Sequence, residues 1–328
     1  MVIDKLKPLS EDELIRDWKG YQKIPLVSVT CISYNHERYI ADALDGIFAQ
    51  KTNFPFEVIV HDDASTDKTQ YIIKKYAEKY PRVLVPILQK ENYWLGKGIN
   101  ATTTIVWPSA KGKYIAWIEG DDYWIDPLKL QKQVDFLEAN EEYSLCFHNA
   151  NVIYDDNNGS RIFYNLETRE YTGKEILKEW KIPTASVVFR RSMYNPVYHP
   201  DFIYGDIVLL ISLATKGKLW GMNEVMSVYR RHKEGLTKTS KSNLFEYKKL
   251  YIKHITAIKE SFNGNYEETC NEILAERYID LSLFQLKEGN RSFLKSLKTG
   301  FKFKPDLFLK HFILNYLNIK KLLRRNTN

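Results

Sequence analysis

The chain is predicted to be an α/β protein, a mainly parallel sheet flanked by helices, with a helical extension at its C-terminus. Three observations carry this. Short β-branched runs alternate with helical stripes over the first 140 residues or so, a polar cluster closes three of those runs, and from about residue 241 the pattern is helical to the end. Strands that alternate with helices pair in parallel and are covered on both faces, so they read as apolar runs rather than as alternating ones.

Residues 26–33 (LVSVTCIS), after Pro25, form the first strand, and a helix over 38–50 carries Ile40, Ala43, Leu44 and Ile47 on one stripe. Residues 57–60 (EVIV) are the second strand and end in HDDASTD. Ser65 or Asp67 is placed to cap the helix over 66–80, which stops before Pro81. A third strand spans 83–88, and the loop ENYWLGKG leads to a short helix over 100–106. Residues 114–118 (YIAWI) are the fourth strand, followed by EGDD, and Pro127 opens a helix with Leu130, Val134 and Leu137 on one face. Beyond it the pattern is less regular. Strands are expected over 144–154, 161–164, 185–190 and 219–229, with a turn at DDNNGS and a helix opened by Gly205-Asp206.

In open parallel sheets the ligand sits beyond the carboxyl ends of the strands. Ser33-Tyr34-Asn35, Asp62-Asp63 and Glu119-Gly120-Asp121-Asp122 all fall at such ends, so the topology predicts that they converge. Three carboxylates within the four positions of EGDD repel one another unless a cation binds or the turn is well solvated. Mg²⁺ or Mn²⁺ suits a few carboxylates plus phosphate oxygens, while a plain helix-capping turn is the competing explanation.

Composition narrows the classes. Hydrophobic residues make up 44% and charged residues 27% of 328 residues, a globular balance. The net charge of +7 suits an anionic partner, but there is no Cys/His zinc pattern and no RNA-binding aromatic signature, so nucleic acid is not expected. The three cysteines are widely spaced and are expected to be buried thiols rather than disulfides. The charged start MVIDKLKPLSEDELIRDW has no apolar signal core, and no run of about 18 apolar residues occurs. The expected location is therefore cytoplasmic, at the inner face of the cell membrane if the tail starting FKFKPDLFLKHF, which mixes Phe and Leu with Lys and Arg, makes a peripheral membrane contact.

Taken together, VSVTCISYNHERYIADALDGIFAQ, FEVIVHDDASTDKT and GKYIAWIEGDDYWIDPLKLQKQVDFL resemble the family 2 glycosyltransferases of GT-A fold. The likeness is strong over about 24–140 and weaker to about 235. It implies a catalytic domain over 24–238, with a nucleotide-sugar half (24–125) and an acceptor half (126–238), between an N-terminal extension (1–23) and a C-terminal helical region (239–328). It implies that Tyr34 lies by the nucleobase, that Asp63 contacts the base with Asp62 beside it, and that Asp121 and Asp122 reach the ribose and a diphosphate-bound Mn²⁺ or Mg²⁺. Glu119 stands, with a longer arm, where the family has its first Asp, and Ala64 replaces the usual Gly of the second motif without expected consequence. Asp206 matches the general base, and Tyr229-Arg230-Arg231-His232 matches a segment that assists the leaving diphosphate, Arg230 as a cation and His232 also as a metal ligand. Asn92, Lys97 and Asn100 match a stretch used against the nucleotide.

The implied reaction is transfer of one sugar from a nucleoside-diphosphate sugar, UDP-linked by preference, to a saccharide or lipid-linked saccharide, with inversion. The processive QxxRW motif is absent. The alternatives are a sugar-nucleotide pyrophosphorylase, disfavoured because SYNHERY replaces a Gly-rich loop, and a non-catalytic nucleotide-sugar-binding protein, disfavoured because the acids are present. Among the tryptophans, Trp124 is the candidate for sugar stacking; His61 and His148 are expected to be structural.

Overall fold

A computed structural model describes residues 4–18, 24–94, 100–154, 159–232 and 244–306. The chain divides into two compact units, residues 1–196 with 210–233, and residues 197–209 with 234–328.

The first unit holds one sheet. Its strands are β1 (Val27–Ser33), β2 (Phe56–Asp62), β3 (Leu84–Leu88), β4 (Tyr114–Glu119), β5 (Tyr123–Trp124), β6 (Tyr143–Tyr154), β7 (Ser160–Ile162), β8 (Arg169–Tyr171), β9 (Val188–Arg190) and β10 (Lys218–Arg231). Their order is β3-β2-β1-β4-β9-β6-β10-β5, with β7 on β6 and β8 on β10. The four strands at the β3 end run parallel, as their unbroken apolar runs predict. The remainder is mixed, because β9 lies antiparallel to both β4 and β6 while β6 and β10 are parallel. Pro86 is tolerated in β3 because β3 is an edge strand. In register, Ser33 lies level with Asp62, and Ile32 with Glu119, so the three polar clusters leave the sheet at one end.

Helix Ile40–Phe48 lies so close to β5 that a Cβ on Gly46 would meet the Trp124 carbonyl oxygen at 2.8 Å and nitrogen at 2.9 Å. Trp124 itself is fully buried, donates from Nε1 to the Ala185 carbonyl at 2.8 Å and carries the buried Lys129 ammonium 4.0 Å from its ring centre. Trp124 is therefore core and not a sugar platform. The short pairing of β5 with the distant β10 decides this. His61 and His148 are fully buried, as expected, and so are Cys31, Cys146 and Cys270. Buried Arg190 ends helix Lys129–Ala139 by donating to the Asn140 carbonyl at 3.0 Å and to that of Leu137.

Several boundaries differ from the expectation. Residues 4–18 are packed into the first unit, with Leu14 and Trp18 in the core and Leu9 N bonded to the Phe48 carbonyl at 3.0 Å. Leu9 and Ile15 pack against the same core, and Glu11 pairs with Arg82 at 2.8 Å. The strand expected over 185–190 is shortened by a 3₁₀ turn at Thr184–Ser186 after Pro183, which Ser186 Oγ closes on the Pro183 carbonyl at 2.6 Å. The helix expected over 100–106 is a π turn, Thr102–Val106, running into Trp107–Ser109.

The second unit takes residues 197–209, including the start of helix Gly205–Ala214, together with helices Leu244–Ser261, Glu267–Lys287 and Phe293–Phe303. The breaks between the last three fall at Gly264 and Gly289, whose φ of 80° and 65° no helix accepts. The Tyr204 and Tyr247 hydroxyls are bonded at 2.7 Å. Among the described residues no helix is long and apolar enough to cross a membrane.

Candidate functional site

Two turns, after β2 and after β4, meet the ends of β1 and β10. The first is laced to the turn after β1. Asn35 (φ 54°) accepts the Thr66 N–H at 2.8 Å through Oδ1, while its own N–H goes to Ser65 Oγ at 2.8 Å. Glu37 N–H goes to Asp67 at 2.9 Å, Lys68 N–H goes to Glu37 at 2.9 Å, and His36 N–H goes to Thr69 Oγ1 at 2.8 Å. Ser65, expected as a helix cap, instead holds this lacing; Asp67 accepts the Thr69 N–H at 2.9 Å at the helix entry.

The lacing accounts for the acids after β2. Asp62, grouped on sequence with the donor-binding residues, is fully buried. Its carboxylate accepts from Ser65 N at 2.9 Å, from Gln70 Nε2 at 2.7 Å, and from the Ser33 and Ser65 hydroxyls. It shapes the turn and has no face to offer a ligand. Asp63 accepts the N–H groups of Tyr93 at 2.8 Å and Trp94 at 3.1 Å, and Asn92 Nδ2 donates to the Asp63 carbonyl at 2.8 Å. Asn92 thus fastens the loop to the strand end, and Trp94, 51% exposed, stands beside Asp63. Tyr34 is also exposed, next to Ser33, whose carbonyl takes the Asp63 N–H at 3.0 Å. Ala64 has φ 61°, the left-handed region in which an alanine is strained, so its replacement of the usual Gly does have a consequence. Asn100 serves the π turn, its Oδ1 facing the Thr103 N–H at 3.4 Å. Lys97 lies outside the described residues.

The second turn is held differently. Gly120 N–H bonds the Ile32 carbonyl at 2.7 Å, and a Cβ there would meet Ile40 at 2.9 Å and His36 Nδ1 at 3.0 Å. This glycine is required by close approach. Arg230 N–H, from the end of β10, donates to Asp122 Oδ1 at 2.9 Å. The buried Arg230 guanidinium donates to the Asp121 carbonyl at 3.0 Å, pairs with Asp42 and lies between the rings of Tyr123 (4.4 Å) and Tyr39 (5.2 Å). Arg230, expected on the diphosphate, is thus committed to holding the turn. Two positions on, His232 Nε2 meets Asp121 Oδ2 at 2.9 Å, with the His36 and Tyr39 rings around it at 6.4 and 4.8 Å.

Electrostatics separates the two aspartates. Burial raises the Asp122 carboxyl well above the usual range, the charges of Asp121 and Glu119 add to this, and Oδ2 is buried without a hydrogen-bond partner. Burial also works against ionised Asp121, but the His232 hydrogen bond and the neighbouring imidazoles outweigh it and hold Asp121 low. Asp122 is 1% exposed and bonded to β10, whereas Asp121 is paired with His232. Among the described residues no cluster of three or more His, Cys, Asp or Glu is arranged for a metal. Asp42, Tyr39 and His36 were not singled out in the sequence. Asp42 looks like a solvated helix position, and only its partner 188 residues away reveals otherwise.

In the second unit Asp206 lies in the first turn of helix Gly205–Ala214. Burial raises its carboxyl above the ordinary range, against the backbone N–H groups that favour the anion.

The comparisons with known proteins bear on the family and the fold. An uncharacterized protein of Mycobacterium tuberculosis, Rv1520, is 43% identical over 211 residues, 64% of this chain and 60% of its own length. This chain therefore spans less than two thirds of that relative. The putative teichuronic acid biosynthesis glycosyltransferase TuaG of Bacillus subtilis is 27% identical over 244 residues, 73% of this chain and 91% of its own. Among solved structures, S. aureus TarS 1–349 in complex with UDP-GlcNAc superposes with a TM-score of 0.65 at 18% identity, covering 92% of each chain. The mannosyltransferase PcManGT of Pyrobaculum calidifontis, in complex with GDP-Man and Mn²⁺, gives 0.58 at 18% identity, covering 90% and 86%. These likenesses show the GT-A fold. The family model for glycosyl transferase family 2 matches residues 28–197, and this chain belongs to that family.

Proposed function

We propose that this chain transfers a single sugar from a nucleoside-diphosphate sugar, with UDP as the carrier, to a hydroxyl of a saccharide or lipid-linked saccharide, with inversion, in the assembly of a cell-surface glycan. The observation that carries this is the Asp121–His232 pair at the carboxyl ends of β4 and β10, level with Tyr34 and Asp63. TuaG by its name, and TarS and PcManGT by what they hold, support the same class.

The residues present fit a divalent cation. Asp121 and His232, paired at 2.9 Å, are the residues that would hold it. The Asp121 carboxylate with phosphate oxygens would suit Mn²⁺ or Mg²⁺, and the His232 imidazole would favour the transition ion of the two. When bound, the ion neutralises charge on the departing diphosphate. Arg230 and Asp42 hold the turn that presents Asp121, while Tyr34, Asp63 and Trp94 form the wall on the nucleotide side. The family resemblance assigns the proton of the acceptor hydroxyl to Asp206, as the new bond from the acceptor oxygen to the anomeric carbon forms. The bond to the diphosphate breaks with its electron pair leaving on the phosphate oxygen. A carboxyl raised by burial is a stronger base than an ordinary Asp.

The test is a panel of nucleoside-diphosphate sugars with Mn²⁺ or Mg²⁺, read by thermal shift and by transfer to acceptor saccharides. One strongly stabilising donor is expected, together with loss of transfer in Asp206→Asn and a product of inverted configuration. Retained configuration, or full transfer by Asp206→Asn, would defeat the mechanism.

A further inference from the structure

The net charge of the chain is concentrated at its C-terminal end. Residues 289–328 contain ten Lys and Arg against the single Asp306, a net of +9 where the whole chain is +7, so the rest of the chain is slightly acidic. Helix Phe293–Phe303 is the described part of this stretch, and its two faces differ sharply. Inward, Ser296 and Gly300 are buried, Ser296 Oγ donates to Gln285 at 2.8 Å, Leu297 packs on Ile279 and Leu283, and Phe303 stacks on Tyr278 at 5.8 Å. Outward it shows Lys295, Lys298 and Lys302 together with Leu294 (62% exposed) and Phe301 (43%). Leu286 (43%), Lys287 and Arg291, just before it, continue the same composition. Lys304 is not part of this outward face, because it pairs with Glu268 and Glu272 at 2.9 Å.

A solvated helix face carries charge without large apolar side chains, and a protein-binding face is depleted in lysine. Apolar side chains set among lysines and Arg291, with the exposed Glu288 the one acid within residues 286–303, match the interface of an anionic bilayer. There the apolar tips enter the acyl boundary and each cation near the surface adds its own attraction. We infer that the outward face of helix 293–303, with Leu286, Lys287 and Arg291, is a docking surface for an anionic lipid membrane. The inference stands independently of the sugar-transfer proposal, since it concerns the second unit and needs no donor.

The test is flotation of the full chain with vesicles of phosphatidylcholine alone and of phosphatidylcholine with phosphatidylglycerol, across a salt series. Binding is expected to anionic vesicles only and to weaken with salt. Replacing Lys295, Lys298 and Lys302 together by Glu is expected to lower partitioning by about a hundredfold or more. Leu294→Ser with Phe301→Ser is expected to lower it by at least about tenfold. All five residues are exposed, so far-UV circular dichroism and Tm should match the parent. Equal binding to neutral vesicles, or binding that survives the triple charge reversal, would overturn the inference. So would an apolar pair variant that floats like the parent, since that marks a general polyanion surface, which heparin binding would then reveal.

Discussion

After β2 the dipeptide Asp62-Asp63 is saturated by its own surroundings, whereas after β4 the dipeptide Asp121-Asp122 keeps an imidazole partner and an orphaned carboxylate oxygen. The chemistry of the two pairs is the same, and so is their place at a parallel strand end. The difference lies in the donors brought to them. Around Asp62 stand two hydroxyls, an amide side chain and a backbone N–H, which satisfy a carboxylate without any ligand. Around Asp121 and Asp122 the chain supplies the Asp121 and Arg230 backbone N–H groups and one imidazole to the carboxylates, and uses its arginine side chain on a carbonyl and on Asp42. An acid pair becomes a candidate site where the fold withholds donors.

The contrast makes graded predictions. Asp121→Asn should lower sugar transfer by roughly a hundredfold or more while leaving the denaturation midpoint near that of the parent. Asp62→Asn should do the reverse, costing about 2–3 kcal/mol in urea unfolding with modest effect on the donor KM in the folded fraction. If Asp62→Asn instead abolished transfer at parental stability, the contrast would fail. Arg230→Lys keeps the charge but loses the fork that spans Asp42 and the Asp121 carbonyl; metal affinity or turnover should fall about tenfold, with the circular dichroism unchanged.

Beyond the second pair lies Lys129, whose ammonium is buried over Trp124 and lowered to about 7. Its unfolded-state value lies near 10.4, so between these values the unfolded chain binds the extra proton and stability rises with pH. Lys129→Met should therefore stabilise the protein at pH 7 by about 2 kcal/mol, and the gain should shrink toward pH 10 in paired urea titrations. The smallest effect tests the residue after the first pair. Ala64→Gly should raise stability by about 0.5–1 kcal/mol, relieving the left-handed backbone at a position where the resembled motif carries Gly.

Much of the first unit was legible. β1, β2 and β4 announce themselves because a strand buried on both faces can hardly be anything but apolar. Their common register then brings the three polar ends together, so their convergence followed from topology. What was hidden depended on partners far along the chain. Arg230 reads as a free cation until Asp42 is seen beneath it, and Trp124 reads as a surface aromatic until two residues of β5 pair with β10. The fate of Asp62 was equally invisible, because Gln70 and Ser65 look like ordinary helix-entry residues. The stretch from about residue 241 was read as helical to the end without its breaks, because its periodicity passes through Gly264 and Gly289, and a single glycine is an ambiguous stop signal.

The three buried cysteines have a practical consequence. Burial raises all three thiols, Cys146 and Cys270 to about 12 and Cys31 further still, so little thiolate exists near neutral pH and reagents have no path to it. The native chain should therefore be silent to maleimide. A cysteine introduced at exposed Trp94 or Leu294 would be the reactive handle, so that a fluorophore at Trp94 could report donor binding and one at Leu294 bilayer contact, without first removing any native thiol.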